Sequence, residues 1–394
     1  MRITQLFKEF FESEKSGGIA LIACTVISLG LANSPFGETY HHFWHTLLGG
    51  RSIEFWINDG LMTVFFLLIG LEIEREVYVG ELSSRKNALL PFLAALGGVL
   101  IPALIHWEFN QDTIFQSGVG IPMATDIAFA LGILSILGNR VPNSLKIFLT
   151  ALAIIDDLIA ILVIAVFYST GFSFGYFALA MLIFVVLLAM NRLKVGALWL
   201  YILLGIFMWY FMLYSGIHAT ITGILLAFAI PFGTGGKKSL SYQLQHFLHQ
   251  PVAFFILPLF AFANTGISIP PNWSEGLLST NSLGILLGLM LGKPIGIFLF
   301  SWGAVLAGYC VLPGGMRKRH LLGLGVLAGI GFTMSIFITL LAFKDEATVV
   351  DSKIAIFLAS LIAGVVGYLM LKMTLPRKTN KGKEEDEDEG VLLI

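Results

Sequence analysis

Residues 151–165 have the sequence ALAIIDDLIAILVIA, in which two adjacent aspartates, Asp156 and Asp157, interrupt an otherwise apolar stretch. This stretch belongs to a longer apolar segment, residues 146–168, which is long enough to cross a bilayer as a helix. Both carboxylates lie near the middle of that segment. An ionised side chain there costs about 2.5–3.5 kcal/mol to insert, so it needs a partner, an aqueous cavity or a neutral form.

The whole chain shares this apolar character. Of its 394 residues, 57% are hydrophobic and only 12% are charged, about half the charged fraction of a soluble domain. This composition excludes a soluble enzyme, a disordered chain and a nucleic-acid-binding protein with a basic face. Because backbone groups in lipid must be satisfied within the protein, we predict an all-α integral membrane protein.

Twelve membrane-spanning helices are predicted from the apolar segments, and this even number places both termini on one side of the membrane. Twenty of the 24 Lys and Arg residues fall on the side of the termini, three on the other side, and one inside a span. This asymmetry predicts cytoplasmic N- and C-termini. The predicted spans are residues 17–33, 56–72, 88–107, 119–138, 146–168, 174–191, 195–213, 215–232, 250–267, 283–308, 319–343 and 353–372.

The predicted domain organisation is a single membrane transport domain, residues 1–374, without an attached soluble domain. Its longest outer loop, residues 34–55, has Gly49 and Gly50 between two short β-prone runs, a pattern typical of a hairpin. Residues 375–394 contain the run KEEDEDE, which predicts a solvated and disordered cytoplasmic tail.

Two further ionisable residues lie within apolar spans, Asp126 in IPMATDIAFALGI and Lys293 in LGLMLGKPIGIFLF. One ammonium group can neutralise only one of three carboxylates, so the other two must exchange protons or bind a cation. Consecutive helical residues point about 100° apart. One of Asp156 and Asp157 can therefore contact Lys293 while the other lines a cavity.

The fourth and eleventh spans carry glycines that predict interrupted helices, at residues 118–122 and 323–331. Each is the middle span of a set of three, spans 3–5 and 10–12. This pattern predicts inverted-topology repeats whose two interrupted helices cross near the midplane. Interrupted helices expose backbone dipole ends, which Asp126, next to Thr125, and Lys293 are placed to compensate.

Six motifs together resemble those of NhaA-type sodium/proton antiporters of bacterial inner membranes, in the same order and through almost the whole chain. The resemblance implies a multi-pass secondary antiporter that exports Na⁺ and Li⁺ in exchange for protons. It further implies an electrogenic, pH-regulated homodimer in the inner membrane, with no cofactor and no nucleic-acid partner. The motifs are WINDGLMTVFFLLIGLE, ATDIAFALG, ALAIIDDL, LPLFAFANTG, GKPIGI and GIGFTMSIFI.

The resemblance also implies a cytoplasm-facing funnel that ends at the paired aspartates. Asp157 matches the main ligand of Na⁺ or Li⁺, and Asp156 matches its partner carboxylate, which pairs with Lys293. Thr125 and Asp126 match the extended crossing segment of the fourth span. The outer loop matches the hairpin that joins two protomers.

A charged cluster at the mouth of this funnel is implied to regulate transport by pH. Glu72, Arg75 and Glu76 match that cluster, and Asp59 and His218 also fall on matching positions.

Two positions on the same face depart from the family pattern. Glu74 stands where the family has a basic residue, and Gln245 stands where an acidic residue precedes His246. The pattern therefore does not give the pH at which this chain becomes active. His246 and His249, three residues apart on one helical face, are further candidates for pH response, and an ordinary interfacial position is the alternative.

A cation channel and an intramembrane enzyme are the alternative functions. A channel would use rings of charges from several subunits, whereas paired interrupted helices and a single buried lysine favour alternating access. An intramembrane aspartyl protease needs aspartates from two helices, but Asp156 and Asp157 are adjacent. The residue that carries the second proton, Asp156 or Lys293, stays open.

Overall fold

The computed structural model describes residues 2–168 and 171–375, and within them the chain is almost entirely helical. Apart from Leu375, the predicted charged tail lies outside the described residues. The helices are α1 (Arg2–Ala32), α2 (Gly37–His45), α3 (Ile53–Phe55), α4 (Met62–Tyr78), α5 (Arg85–Asn110), α6 (Ile127–Ile136), α7 (Asn143–Phe167), α8 (Phe174–Arg192), α9 (Leu198–Ser215), α10 (Ile221–Ala229), α11 (Leu240–Pro251), α12 (Leu257–Asn264), α13 (Trp273–Leu277), α14 (Thr280–Leu287), α15 (Lys293–Leu306), α16 (Lys318–Ala328), α17 (Phe332–Ala342) and α18 (Glu346–Thr374). Short 3₁₀ segments cover Glu81–Ser83, Gln116–Met123 and Gly138–Arg140, and π-helical turns cover Trp56–Leu61, Val252–Ile256 and Gly288–Gly292.

The described residues contain nine helices that are long and apolar enough to cross a membrane. Two bent pairs raise this number to eleven if each pair is one span: residues 16–32 with α2, bent by 114°, and α16 with α17, bent by 45°. The prediction of a multi-pass helical membrane protein is therefore confirmed.

The eighth predicted span, residues 215–232, contains a helix of only nine residues, α10. Gly216 ends α9 with a left-handed φ of +85°, a conformation that glycine adopts without steric cost. At 1.5 Å per residue α10 is about 14 Å long, roughly half the thickness of the hydrocarbon core. The number of twelve spans therefore stays a prediction.

Both predicted interruptions are present in the structure. The fourth span consists of the 3₁₀ segment Gln116–Met123, three non-helical residues and then α6. The eleventh span is broken between α16 and α17. The two breaks contact each other directly, because Asp126 N donates a hydrogen bond of 2.6 Å to Ile330 O.

Helices α5 and α15 approach closely because glycines face each other. A Cβ built on Gly97 would overlap Gly296 O, and a Cβ on Gly296 would overlap Gly97 O. One residue further along α5, Gly98 lies against Ile297 and near the Lys293 stem. This close approach encloses Lys293, which is completely buried.

The loop before α3 forms the hairpin that its sequence indicates. Two antiparallel strands, β1 (Leu47–Leu48) and β2 (Arg51–Ser52), pair Leu47 with Ser52 and Leu48 with Arg51. Gly49 and Gly50 connect them with φ values of +62° and +83°. Positive φ at both central residues is what a type I′ hairpin turn requires.

Candidate ion-binding site

Helix α7 brings Asp156 and Asp157 to the crossing of the two interrupted spans. Each aspartate is only 1% exposed. Lys293 Nζ lies 2.6 Å from Asp156 Oδ2, and it also donates to Met123 O at the end of the 3₁₀ segment. The ammonium group therefore neutralises Asp156 and at the same time satisfies the carbonyl end of one interrupted helix.

The Thr125 hydroxyl is the second polar group on Asp156. It lies 2.6 Å from Asp156 Oδ2 and 3.0 Å from Ala328 O, the last carbonyl of α16. A hydroxyl has one proton to donate, so it serves either the carboxylate or the helix end at a given moment. Thr125 thus lies between Asp156 and the end of α16, where the eleventh span is broken.

Asp126 is held entirely by helix ends. Its Oδ1 accepts a 3.0 Å bond from Phe129 N in the first turn of α6. Its Oδ2 accepts from both the backbone N–H and the hydroxyl of Thr333, in the first turn of α17. A carboxylate at a helix N-terminus is stabilised by the free N–H groups and by the dipole, so Asp126 neutralises two helix starts.

Asp157 is the carboxylate without such compensation. Its Oδ1 is buried and, like Asp156 Oδ1, has no hydrogen-bond partner among the residues that the structure describes. Asp157 lines a cavity of about 30 Å³, enough for one or two water-sized groups. The cavity is lined by Phe65, Leu68, Ile69, Glu72, Asp126, Ile127, Ala128, Asp157, Val252, Leu257, Thr333 and Met334.

The four charged residues at the crossing therefore have unequal partners. Asp156 is paired with Lys293, and Asp126 binds two helix N-termini, whereas Asp157 Oδ1 has no hydrogen-bond partner among the described residues. A metal ion that stays bound to a protein, such as zinc, is usually held by three or four protein side chains. Within the described ranges, no three His, Cys, Asp or Glu side chains are grouped to hold a metal ion.

The candidates for pH response lie where α4 meets α11, and one of them reaches the cavity. Glu72 lines it, and His249 Nδ1 lies 3.9 Å from Glu72 Oε1. The Arg75 guanidinium lies 5.0 Å from the centre of the Tyr242 ring, on which His246 stacks at 6.0 Å. The structure thus brings together four of the five candidates that the sequence names.

The remaining residues of that face have other contacts. Glu76 turns back to its own chain and accepts a 2.9 Å bond from Glu81 N. Glu74, one of the two departures from the family pattern, accepts a 3.3 Å bond from Ser241 Oγ, while Gln245 is half-buried on α11. The contacts of Glu74 and Arg75 through Ser241 and Tyr242 have no signal in the sequence.

Asp59 and His218 do not reach the buried carboxylates by any hydrogen bond in the described part of the chain. Asp59 lies in the π-helical turn Trp56–Leu61. His218 Nε2 lies 3.0 Å from Tyr168 O, just beyond the end of α7.

Two hydroxyl residues of α17 complete the crossing and were not singled out individually from the sequence. Besides Thr333, the Ser335 hydroxyl donates to Ile121 O in the 3₁₀ segment over 2.7 Å. The signal that marks them is their position directly after the break at Gly331, in the motif GIGFTMSIFI.

Comparison with known proteins places this chain in a family. The family described as Na⁺/H⁺ antiporter 1 matches residues 8–371. The Na⁺/H⁺ antiporter NhaA 1 of Flavobacterium johnsoniae is 62% identical over 380 residues, 96% of this chain and 100% of the relative. The Na⁺/H⁺ antiporters NhaA of Cytophaga hutchinsonii and Flavobacterium psychrophilum are 60% and 61% identical over 375 residues, 95% of this chain and 97% and 98% of theirs. The chain therefore belongs to the Na⁺/H⁺ antiporter 1 family, whose members are transporters rather than enzymes.

Proposed function

We propose that this antiporter exports Na⁺ and Li⁺ across the bacterial inner membrane by binding the cation at Asp157 with Asp156. Exchange of Na⁺ for H⁺ follows from the family, and the binding residues are our proposal. The observation that carries it is the unequal compensation of the carboxylates. Asp157 lines the cavity, and its buried Oδ1 has no hydrogen-bond partner in the described structure. Asp156 also has an unpartnered Oδ1, but its Oδ2 is paired with Lys293.

Competition for the same carboxylate couples the two ions. An ionised Asp157 in a low-dielectric site is unstable without a counter-charge. It therefore holds either a proton or a cation, and binding of one displaces the other. Carboxylate oxygens are hard ligands that suit small hard cations such as Na⁺ and Li⁺.

The second proton would leave from the Asp156–Lys293 pair. In one scheme Asp156 itself is protonated and releases its proton when the cation binds. In the other, Lys293 releases a proton when its 2.6 Å contact with Asp156 breaks. In both schemes two protons exchange for one Na⁺, so one net charge crosses the membrane and transport is electrogenic.

Alternating access would be provided by twelve spans arranged as inverted repeats, with both termini in the cytoplasm. The crossing of the two breaks at Asp126 and Ile330 supports this architecture, because midplane sites at interrupted helices are typical of such transporters. The distribution of Lys and Arg supports the orientation.

Regulation by pH would act through the α4–α11 face. Glu72 supports this role because it both lines the cavity and lies near His249. Arg75, Glu76 and His246 belong to the same proposal. Dimerisation would use the β1–β2 hairpin, whose Leu47 and Leu48 are 72% and 63% exposed.

Proteoliposomes test this proposal directly. An imposed Na⁺ gradient should drive proton movement without ATP and build a membrane potential. Asp157→Asn should abolish this response and Na⁺ binding, while the matched control Asp112→Asn, on an exposed loop, should behave as wild type. Wild-type affinity for Na⁺ in Asp157→Asn would refute the ligand role, and steady ion current without proton coupling would favour a channel.

A further inference from the structure

Tyr168, directly after α7, binds the backbone of the fourth span at two points. Its hydroxyl donates a 2.7 Å hydrogen bond to Ser117 O and accepts a 3.2 Å bond from Gly120 N. In a 3₁₀ helix the N–H of each residue bonds the carbonyl three residues earlier. Ser117 O and Gly120 N are three residues apart, so the phenol hydroxyl bridges the acceptor and the donor of one turn of the segment.

We infer that Tyr168 is a positioning residue for transport, and that its bridging hydroxyl holds the 3₁₀ segment Gln116–Met123 in register with the ion-binding site. The hydroxyl comes from the residue that follows α7, the helix that carries Asp156 and Asp157.

The geometry around Gly120 shows that the bridge needs a glycine. A Cβ built on Gly120 would lie 2.6 Å from the Tyr168 hydroxyl oxygen and 3.4 Å from Ile338 Cγ2. Gly120 is buried, and Tyr168 is only 5% exposed. The hydroxyl therefore contacts bare backbone in a space that any other residue at position 120 would fill.

The far end of the same segment reaches the charges. Met123 O accepts from Lys293, and Thr125, two residues later, lies 2.6 Å from Asp156 Oδ2. Loss of the bridging hydroxyl removes both of its bonds to this turn, so the segment is held less firmly and Met123 shifts relative to the ammonium group. The expected consequence is weaker cation binding at the aspartates, with little change in the rate of the loaded transporter.

The test is Tyr168→Phe, purified and reconstituted in proteoliposomes, with Na⁺/H⁺ exchange measured over a range of Na⁺ concentrations. The apparent KM for Na⁺ should rise about five- to tenfold, the size of one net hydrogen bond, while the maximal rate changes less than about twofold. The matched control is Tyr176→Phe in α8, whose ring packs on Tyr214 with centroids 5.7 Å apart; its KM should stay at the wild-type value.

A second pair of variants tests the bridge itself. Gly120→Ala alone should impair exchange strongly, because its methyl group overlaps the hydroxyl. Adding Tyr168→Phe removes the overlapping oxygen, so the double variant should be more active than Gly120→Ala alone. Tyr168→Phe with wild-type KM, even at a lower yield of folded protein, would overturn the inference, as would a double variant no better than Gly120→Ala. The inference rests on antiport by the wild type, and absence of wild-type exchange would refute that function instead.

Discussion

Thr333 binds Asp126 twice, because its backbone N–H and its hydroxyl donate to the same Oδ2 over 2.9 and 2.6 Å. The other carboxylate oxygen accepts from Phe129 N. The Asp126 side chain thus accepts hydrogen bonds from the first turns of two helices, α6 in the fourth span and α17 in the eleventh. The two helix N-termini stabilise its negative charge, so Asp126 is held in place, in agreement with our proposal that Asp157 binds the transported ions.

We expect Thr333→Val to destabilise the protein by about 1–3 kcal/mol, because it removes a hydrogen bond to a charged group while the backbone N–H still donates. Thr339→Val is the matched control, since the Thr339 hydroxyl bonds Ser335 O within its own helix. Denaturation of the two purified variants in detergent gives the comparison. An equal loss of stability in both would show that the Asp126 contact contributes nothing special.

The sequence predicts the charges of the site and, through the family resemblance, the pairing of Asp156 with Lys293, but not the contacts of Asp126. Asp126, Lys293 and the two glycine-rich breaks are visible, because a charge in an apolar span is costly and glycine weakens a helix. Asp126 binds the first turns of both α6 and α17 because two spans that are distant in sequence cross at this point. No local sequence pattern encodes that crossing. Tyr168 gives no signal for the same reason: its contacts with Ser117 and Gly120 are about fifty residues away in the chain.

The number of spans shows a second limit. Apolar composition predicts a full crossing over residues 215–232, but apart from Ser215, the last residue of α9, only α10 is helical there. Hydropathy indicates whether a segment lies in apolar surroundings, but it does not indicate the path of its backbone. Residues around Gly216 are apolar enough to be predicted as helix, but they form a turn between α9 and α10.

Replacing His249 by glutamine should shift the pH profile of exchange toward acid. Protonated His249 attracts Glu72 across 3.9 Å and thereby links α11 to α4 beside the cavity. This attraction is present at low pH and is lost as histidine deprotonates with rising pH. If the link restrains transport, its removal lets activity begin at lower pH. Exchange rates between about pH 6 and 9 give the profile, and His246→Gln, on the Tyr242 ring, should shift it less. A shift toward alkaline pH would contradict the restraint.

If the hairpin joins two protomers as we propose, charges on it should weaken the dimer without affecting transport. Leu47→Asp with Leu48→Asp leaves the backbone pairing of β1 and β2 intact but makes a protomer contact through these exposed leucines unfavourable. Cross-linking in membranes and light scattering in detergent measure the change. Leu193→Asp, at a leucine that is 78% exposed elsewhere, is the control. Full dimer in the double variant would exclude this surface as the interface.

Lys293→Ala should destabilise the protein by about 3–5 kcal/mol, because it leaves Asp156 buried without its partner and Met123 O without a donor. Lys293→Arg keeps the charge, but arginine is not deprotonated in proteins, so it separates charge compensation from proton transport. The measurement is the membrane potential that reconstituted Lys293→Arg forms during Na⁺ transport. A wild-type potential would make Lys293 a fixed counter-charge and place both protons on Asp156 and Asp157. Electroneutral or failed exchange would make Lys293 the second proton carrier. If Lys293→Ala is as stable and as active as the wild type, the buried pair itself has no role.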